Sequence, residues 1–303
     1  MMMSCNPPLT SPLSKGGLRG VASCMKRTFK MHKYKYQIPR RILQISILLI
    51  FFGANAYGWN ILRGNLSSAK VLDAIPLSDP FAVLQSYSAG ATIAADALIG
   101  ACIVLLFYAV LGGRIFCGWV CPVNMVTDLA AKIRTSLKLD NVWKSWDISR
   151  GVRYWVIGLS IVLSVILGVA AFEWISPIGA LHRGIIYGFG FGWAFVLIVF
   201  LFDLIAVKHG FCGHVCPLGG FYSLTGRFGF LRIGYDRDKC TSCMKCIDIC
   251  PEKQVLHMVN MQSGAVLSGE CINCGRCIEV CDDNAVNFSS IYSNKYSHKH
   301  KEG

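Results

Sequence analysis

Eight cysteines in the carboxyl-terminal part of the sequence have the spacing of iron–sulfur ligands. They form two runs, residues 240–251 (CTSCMKCIDICP) and residues 271–281 (CINCGRCIEVC). Each run has the pattern Cys-x2-Cys-x2-Cys-x3-Cys, which is typical of ferredoxins with two [4Fe–4S] clusters, where the fourth cysteine of one run binds the cluster of the other. The spacing therefore predicts two ligand sets: Cys240, Cys243, Cys246 and Cys281 for one cluster, and Cys271, Cys274, Cys277 and Cys250 for the other.

Structural zinc is the alternative interpretation of closely spaced cysteines, because four-cysteine zinc sites are common. Zinc sites of this kind use two pairs of ligands, whereas this chain has two consecutive four-cysteine runs, the first ending in Cys-Pro. The second run ends in Cys281-Asp282, without the proline but with all four ligands. Cys5, Cys24 and Cys102 stand apart from any group. Tight grouping of the other cysteines favours thiolate ligation in a reducing compartment over disulfides.

A second cysteine motif occurs twice, as FCGWVCPV at residues 116–123 and FCGHVCPL at residues 211–218. Within each copy the two cysteines are four residues apart, so they share one face if the segment is helical. Three roles stay open at this point: ligands of a further metal centre, a redox-active dithiol, or residues that only shape the helix ends. The cysteines concerned are Cys117, Cys121, Cys212 and Cys216.

Three side chains near the second copy are candidates for proton transfer. Asp203 lies within an apolar stretch, where an ionisable group is a functional candidate by default, although pairing with Lys208 is an equal alternative. His209 and His214 flank the motif and could accept protons near neutral pH. They could equally be ordinary interfacial histidines. The sequence has no paired histidines for haem inside its apolar stretches, no dinucleotide fingerprint and no phosphate loop.

Four apolar stretches must position these motifs, and each has about the 20 residues that a membrane-spanning helix needs. Hydrophobic residues make up 53% of the chain, and the mean hydropathy is +0.47. The two copies of the repeated motif follow the second and the fourth stretch. The expected fold is therefore an all-α membrane domain of four transmembrane helices in two repeated hairpins, followed by a small α+β ferredoxin-like domain. The stretches are 42–62, 91–113, 154–172 and 185–207.

The lysines and arginines are concentrated in alternate segments between the apolar stretches. The formal net charge is +13, and 27 of the 30 lysines and arginines lie before the first stretch, between the second and third, or after the fourth. Because cations accumulate on the cytoplasmic side of a bacterial inner membrane, this predicts a multi-pass protein with both termini in the cytoplasm. The same distribution explains the charge without a nucleic-acid partner.

The predicted domain boundaries follow from these features. Residues 1–35 are expected to be a disordered basic extension without a cleavable signal peptide. Residues 36–230 form the membrane domain, in which residues 123–138 are expected to be an amphipathic helix at the membrane surface. Residues 231–288 form the ferredoxin domain and residues 289–303 a basic tail.

With these motifs, the chain resembles the NapH family, the membrane quinol dehydrogenase component of periplasmic nitrate reductase systems. The resemblance extends from about residue 36 to 288 and includes residues 71–85 (VLDAIPLSDPFAVLQ) and 173–177 (EWISP). It implies electron transfer from menaquinol or ubiquinol to a periplasmic ferredoxin-type protein or a membrane-anchored c-type cytochrome, and so to nitrate reductase. The predicted clusters are cytoplasmic, whereas nitrate reduction would occur outside, so the route of the electrons stays open.

A redox-assisted maturation factor for metalloenzymes is the alternative function, since related membrane polyferredoxins have that role. Those proteins usually carry a further folded domain at the carboxyl terminus. Here the residues after Cys281 are a short polar and basic segment. This difference favours the electron-transfer function.

Overall fold

The structure is a computed structural model. The predicted extension and tail lie almost entirely outside the residues it describes, as do Cys5 and Cys24. The described residues are 34–59, 61–139, 148–188 and 192–290.

The first part of the chain is mainly helical. Its elements are α1 (Gln37–Tyr57), β1 (Leu62–Gly64), β2 (Ser68–Val71), β3 (Ile75–Ser78), α2 (Pro80–Ser88), α3 (Ala95–Leu111), α4 (Ile115–Trp119), α5 (Val123–Ser136), α6 (Val152–Leu167), α7 (Ala171–Ile175), α8 (Pro177–Tyr187), α9 (Gly192–Ile205), a π-helical turn (Phe211–Val215) and α10 (Pro217–Thr225).

Each of the four predicted apolar stretches overlaps a helix, but α1 begins and ends five residues early and the other three helices are shorter than expected. Among the described residues, α1 is the helix that is long and apolar enough to cross a membrane; α3, α6 and α9 have 17, 16 and 14 residues. Glycines end two of them early, because Gly58 after α1 and Gly168 after α6 adopt the left-handed conformation that terminates helices. The predicted bounds were therefore wrong by several residues, most of all for 185–207, whose first residues belong to α8.

A small antiparallel sheet, which the sequence analysis did not predict, lies between α1 and α2. Its strand order is β1-β2-β3, and Lys70 pairs with Pro76 in its register. Strand β3 packs against α3 at Gly100, where an added Cβ would lie 3.0 Å from the Pro76 carbonyl oxygen. Asp79 then caps α2 by accepting a 3.1 Å hydrogen bond from the Phe81 amide. The expectation of an all-α first domain was wrong for this segment.

The two helical hairpins exchange contacts beyond their repeated motifs. Helix α5, which follows the first motif, packs on α9 of the second hairpin. Helix α10, which follows the second motif, packs on α3 of the first hairpin as well as on α6 of its own hairpin. This crosswise packing places the two motifs next to each other.

Helix α5 confirms the predicted helix at 123–138, and its buried face is polar. Asn124, Asp128 and Arg134 are buried there, whereas Leu129 and Leu137 are exposed. Neighbouring elements supply the partners of these polar groups; the Arg134 guanidinium, for example, donates to a carbonyl oxygen of α9 at 3.3 Å. The helix is thus held by buried polar contacts, and its exposed leucines face away from the protein.

The second part of the chain is a compact α+β unit. Its three-stranded antiparallel sheet has the order β5-β4-β6, and Ile233 pairs with Phe288 in the register of β4 and β6. Apolar side chains of the sheet and of the short helical turns pack around the cysteine runs. The elements are β4 (Leu231–Tyr235), α11 (Lys245–Ile249), β5 (Gly264–Ala265), α12 (Arg276–Glu279) and β6 (Val286–Ser290).

Candidate iron–sulfur centres

The two ferredoxin runs have the same unusual backbone conformation. In the first run, Ser242 and Met244 on either side of the second cysteine have φ angles of 60° and 59°. In the second run, Asn273 and Gly275 occupy the equivalent positions, with φ angles of 48° and 75°. Non-glycine residues rarely adopt positive φ, and such residues cluster at ligand sites. Both runs therefore have the same loop conformation around their second cysteine.

The first predicted ligand set comes together in the structure. Cys246 is buried, and burial raises the pKa of its thiol to about 11, with further increases from the nearby thiols of Cys281, Cys240 and Cys243. The Cys240 sulfur also accepts a 3.3 Å hydrogen bond from the Ser242 amide. Cys281 of the second run is thus a neighbour of the first three cysteines of the first run.

The second predicted set surrounds a small enclosed cavity of about 20 Å³. Burial raises the pKa of the Cys250 thiol, and the thiols of Cys274 and Cys271 raise it further. The neighbours of Cys250 are therefore the cysteines of the other run, as crossed ligation requires. The four thiols that line the cavity are those of Cys250, Cys271, Cys274 and Cys277.

The two sets of four thiols suit iron–sulfur clusters. A cubane binds each of its four thiolates through a different iron. Hydrogen bonds from backbone amides to the sulfurs, such as that of Ser242, are also typical of cluster sites.

The structure also brings the two copies of the repeated motif together. All four of their cysteines line a second enclosed cavity, of about 10 Å³, which we call the twin-motif cavity. Burial raises the pKa of the Cys216 thiol to about 12, and the nearby Cys117 thiol adds to this shift. The convergence that the sequence left open is therefore present. The lining residues are Phe116, Cys117, Cys121, Val123, Ile178, Phe211, Cys212, Cys216, Leu218 and Gly219.

Arg114 connects the twin-motif cavity to the ferredoxin domain. Its guanidinium is buried and donates to the Glu252 carboxylate at 2.7 Å, the Glu270 carbonyl oxygen at 2.9 Å and the Cys212 carbonyl oxygen at 2.9 Å. Its charge also lowers the pKa of the Cys117 thiol, against the raising effect of burial. One side chain thus links the second motif copy to two residues that lie within two positions of the second ligand set.

The backbones of the two domains meet beside Arg114. Gly118 lies so close to the ferredoxin domain that an added Cβ would be 2.6 Å from the Ile272 carbonyl oxygen. The Trp119 indole donates to the Asn273 carbonyl oxygen at 3.0 Å. Ile272 and Asn273 lie between Cys271 and Cys274, so the loop that holds the second ligand set rests directly on the first repeated motif.

The proton-transfer candidates have different environments. Asp203 is fully buried and accepts a 2.8 Å hydrogen bond from the Phe211 amide, so it helps to position the start of the second motif. His209 and His214 line an open cavity of about 1370 Å³ that also reaches Cys250. Burial lowers the pKa of His209 to about 4, and its Nδ1 atom lies 3.7 Å from an Asp128 oxygen.

Sequence reasoning missed the charged residues that join the domains. Asp128 forms ion pairs with Arg41 of α1 and with Arg276 of the ferredoxin domain. Burial alone would raise the pKa of Asp128, but Arg276, His209 and Arg41 together lower it. The sequence gives a partial indication only for Arg114 and Glu252, because each lies within three residues of a motif cysteine. Nothing in the local sequence marks Asp128.

Comparisons with known proteins agree with this geometry. A family described as "4Fe-4S binding domain" matches residues 93–140 and 185–234, and one described as "4Fe-4S dicluster domain" matches residues 232–282. The ferredoxin-type protein NapH of Haemophilus influenzae is 47% identical over 219 residues, which cover 72% of this chain and 75% of that protein.

The chain belongs to the NapH-like family of ferredoxin-type proteins. NapH of Escherichia coli is 41% identical, with 74% of this chain and 77% of that protein covered. A sister member of the NapH-like family, the methylamine utilization ferredoxin-type protein MauN of Methylorubrum extorquens, is 40% identical over 79% of this chain and 84% of its own length. No solved structure matches the chain significantly. Membership confirms the family resemblance found in the sequence, and the domain matches identify an iron–sulfur electron-transfer protein.

Proposed function

We propose that this protein carries electrons from a membrane quinol through two [4Fe–4S] clusters toward a periplasmic nitrate reductase system. The observation that carries the proposal is the convergence of the eight ferredoxin cysteines into two crossed ligand sets, one of which rests on the apolar helical domain. Family membership supports the same function, because the chain is 47% identical to a NapH protein over most of its length.

The helical domain is proposed to cross the bacterial inner membrane four times. The outward faces of α1, α3, α6 and α9 carry exposed leucine, isoleucine, valine and phenylalanine side chains, as lipid-facing helices do. The repeated motifs, the ferredoxin domain and both termini are proposed to lie on the cytoplasmic side, and the distribution of lysine and arginine supports this orientation.

The cysteines are proposed to hold the clusters in crossed sets. The first cluster takes the first three cysteines of the first run and Cys281, and the second cluster takes the first three of the second run and Cys250. When bound, each cluster takes up and releases one electron at a time. Oxidation of one quinol to quinone releases two electrons and two protons, so two one-electron centres match the donor.

His209 is the proposed proton acceptor for quinol oxidation. It is neutral at pH 7, because burial lowers its pKa, and it lies at the wall of the large cavity that reaches Cys250. The nearby Asp128 carboxylate favours the protonated imidazole. Asp203, by contrast, is proposed to have a structural role, since its carboxylate caps the backbone at Phe211.

The decisive experiment starts from the full chain purified anaerobically with its clusters. Addition of menaquinol is expected to reduce the clusters, as observed by EPR. The His209→Gln variant is expected to slow this reduction while dithionite still reduces the clusters fully. If menaquinol never reduces clusters that dithionite can reduce, and no quinone copurifies, the maturation-factor function replaces the proposed one.

The acceptor system needs a separate test, because NapH and MauN relatives share this architecture. The proposed acceptor is a periplasmic ferredoxin-type protein or a membrane-anchored c-type cytochrome of nitrate reduction. Deletion of this chain is expected to abolish quinol-dependent nitrate reduction in intact cells and to leave growth on methylamine unchanged. The reverse result would assign the chain to methylamine oxidation.

A further inference from the structure

The twin-motif cavity has the features of a third cofactor site. Four thiols from two distant chain segments, Cys117 and Cys121 from one and Cys212 and Cys216 from the other, surround one enclosed space. We propose that these four cysteines bind a third [4Fe–4S] cluster, which the two repeats share. The matched family of 4Fe–4S binding domains spans both repeats but names neither ligands nor a number of centres.

The ferredoxin domain provides an internal comparison. Its second ligand set consists of four thiols from two runs around a cavity of about 20 Å³, and the twin-motif cavity has four thiols from two motifs around about 10 Å³. Apolar side chains complete the lining of both cavities, among them Ile233 and Val255 in one and Ile178 and Leu218 in the other. A single motif supplies only two thiols, so one cluster with four thiolate ligands requires both repeats.

Backbone amides at two helix starts point toward the sulfurs. Cys216 immediately precedes α10, and its sulfur accepts a 3.5 Å hydrogen bond from the Gly219 amide. Cys121 lies two residues before α5, and the backbone amides of Val123 and Asn124 lower the pKa of its thiol against the raising effect of burial. Free amides at a helix start stabilise thiolates, and amide hydrogen bonds to sulfur are a regular feature of iron–sulfur sites. Proline after the second cysteine of each motif starts these helices.

A cation balances the negative charge that thiolates would bring. Arg114 is fully buried, and its charge lowers the pKa of the Cys117 thiol against the raising effect of burial. The Glu252 carboxylate, 2.7 Å away, compensates part of this charge. The guanidinium nevertheless favours the thiolate form of Cys117, which ligation to iron requires. Thr127 is a further polar neighbour, with its hydroxyl oxygen 3.9 Å from the Cys212 sulfur.

The third cluster lies between the membrane helices and the second ferredoxin cluster. Gly118, next to Cys117, contacts the backbone of Ile272, which adjoins Cys271. Of the three clusters, the third is thus the one nearest the membrane helices. It offers a path between the ferredoxin clusters and the interior of the helical domain. Its presence does not depend on which donor reduces it.

Metal analysis of the full chain, prepared anaerobically with its clusters, tests this assignment without any substitution. Three clusters predict about twelve irons and about twelve sulfides per chain, whereas two clusters predict about eight of each. Mössbauer spectra are expected to show all of the iron in [4Fe–4S] form. A content of about eight irons in material whose two ferredoxin clusters are fully assembled, or one zinc per chain at the twin-motif cysteines, would overturn it.

The double variant Cys117→Ala/Cys212→Ala provides the second test. It is expected to lose about four irons and to keep the EPR signals of the two ferredoxin clusters. Cys102→Ala is the matched control, because Cys102 is an exposed cysteine of α3 outside every motif, and it is expected to keep about twelve irons. A double variant with the iron content of the control contradicts the third cluster. Iron content and quinol reduction are measured separately, so either proposal can fail alone.

Discussion

Glu252 is the residue through which the docking of the ferredoxin domain can be tested most directly. Its side chain is only 4% exposed, and its carboxylate lies between three guanidinium groups. Arg114 donates to it at 2.7 Å, Arg150 donates to its other oxygen, and Arg153 lies at 3.9 Å. Arg114 and Arg153 are themselves buried, so this carboxylate compensates a local excess of positive charge.

The substitution Glu252→Gln keeps the size of the side chain and removes its charge. Glu270, 3.2 Å from Arg153, is then the remaining carboxylate near the three arginines. Removal of one partner from a buried ion pair costs about 3–5 kcal/mol, because the other charge stays desolvated. A cost of this size corresponds to a roughly hundred- to several-thousand-fold larger population of the undocked ferredoxin domain.

Hydrogen exchange with mass spectrometry measures that population. Full-length protein with its clusters in lipid nanodiscs is compared with the variant, and peptides that cover residues 114–121 and 269–275 are followed. Both peptides are expected to lose protection in Glu252→Gln. The matched control is Asp96→Asn, which removes a carboxylate from an exposed pair with Lys70 at 3.2 Å and is expected to cost less than about 1 kcal/mol.

Iron content distinguishes undocking from loss of a cluster. If the variant keeps the iron content of the wild type and both peptides keep wild-type protection, the ion-pair network does not hold the domains together. Equal loss of protection in the Asp96→Asn control would also refute the reasoning, since that pair is remote and exposed.

Two further predictions concern close packing and pH. Gly118→Ala is expected to destabilise the protein by about 1–3 kcal/mol, because its Cβ would lie 2.6 Å from the Ile272 carbonyl oxygen. The control Gly158→Ala has open space around the new Cβ and is expected to be neutral or slightly stabilising. The temperature at which half of the cluster absorbance is lost measures the stability of each variant. Equal midpoint temperatures for the two variants would contradict the prediction. Burial raises the pKa of Asp79 from 3.8 to about 7. The stability of the segment 75–88 is therefore expected to fall as the pH rises from about 4 to about 7. Its protection from hydrogen exchange is expected to fall by at most about tenfold per pH unit. The variant Asp79→Asn keeps the helix cap and is expected to remove this pH dependence of hydrogen exchange. An unchanged pH dependence in the variant would show that another group causes it.

Short-range features of the sequence predicted the ferredoxin domain well. The spacing of Cys240, Cys243 and Cys246 fixes which thiols can reach one cluster, because only a few backbone bonds separate them. The crossed role of Cys250 stays a prediction, made because the second run repeats the first. The helix after Pro122 was predictable from its periodicity, and the structure begins it at Val123.

Longer-range features were predicted less well. The apolar stretches gave the positions of four helices but not their ends, which glycines such as Gly58 and Gly168 determine. The β1-β2-β3 sheet was missed because its strands have three or four residues, too few for a recognisable alternation. Their pairing depends on contacts with α1 and α3 instead.

The type and spacing of the cysteines could be recognised from the sequence, because both are local properties of the chain. The cavity lined by Cys117, Cys121, Cys212 and Cys216 could not, since it depends on the packing of α5 on α9 and of α10 on α3, which joins the two halves of the repeat. The same packing decides the partners of Arg114 and Asp128. Charges separated by more than a hundred residues show no pattern along the chain, and they meet only where burial forces each to find a partner.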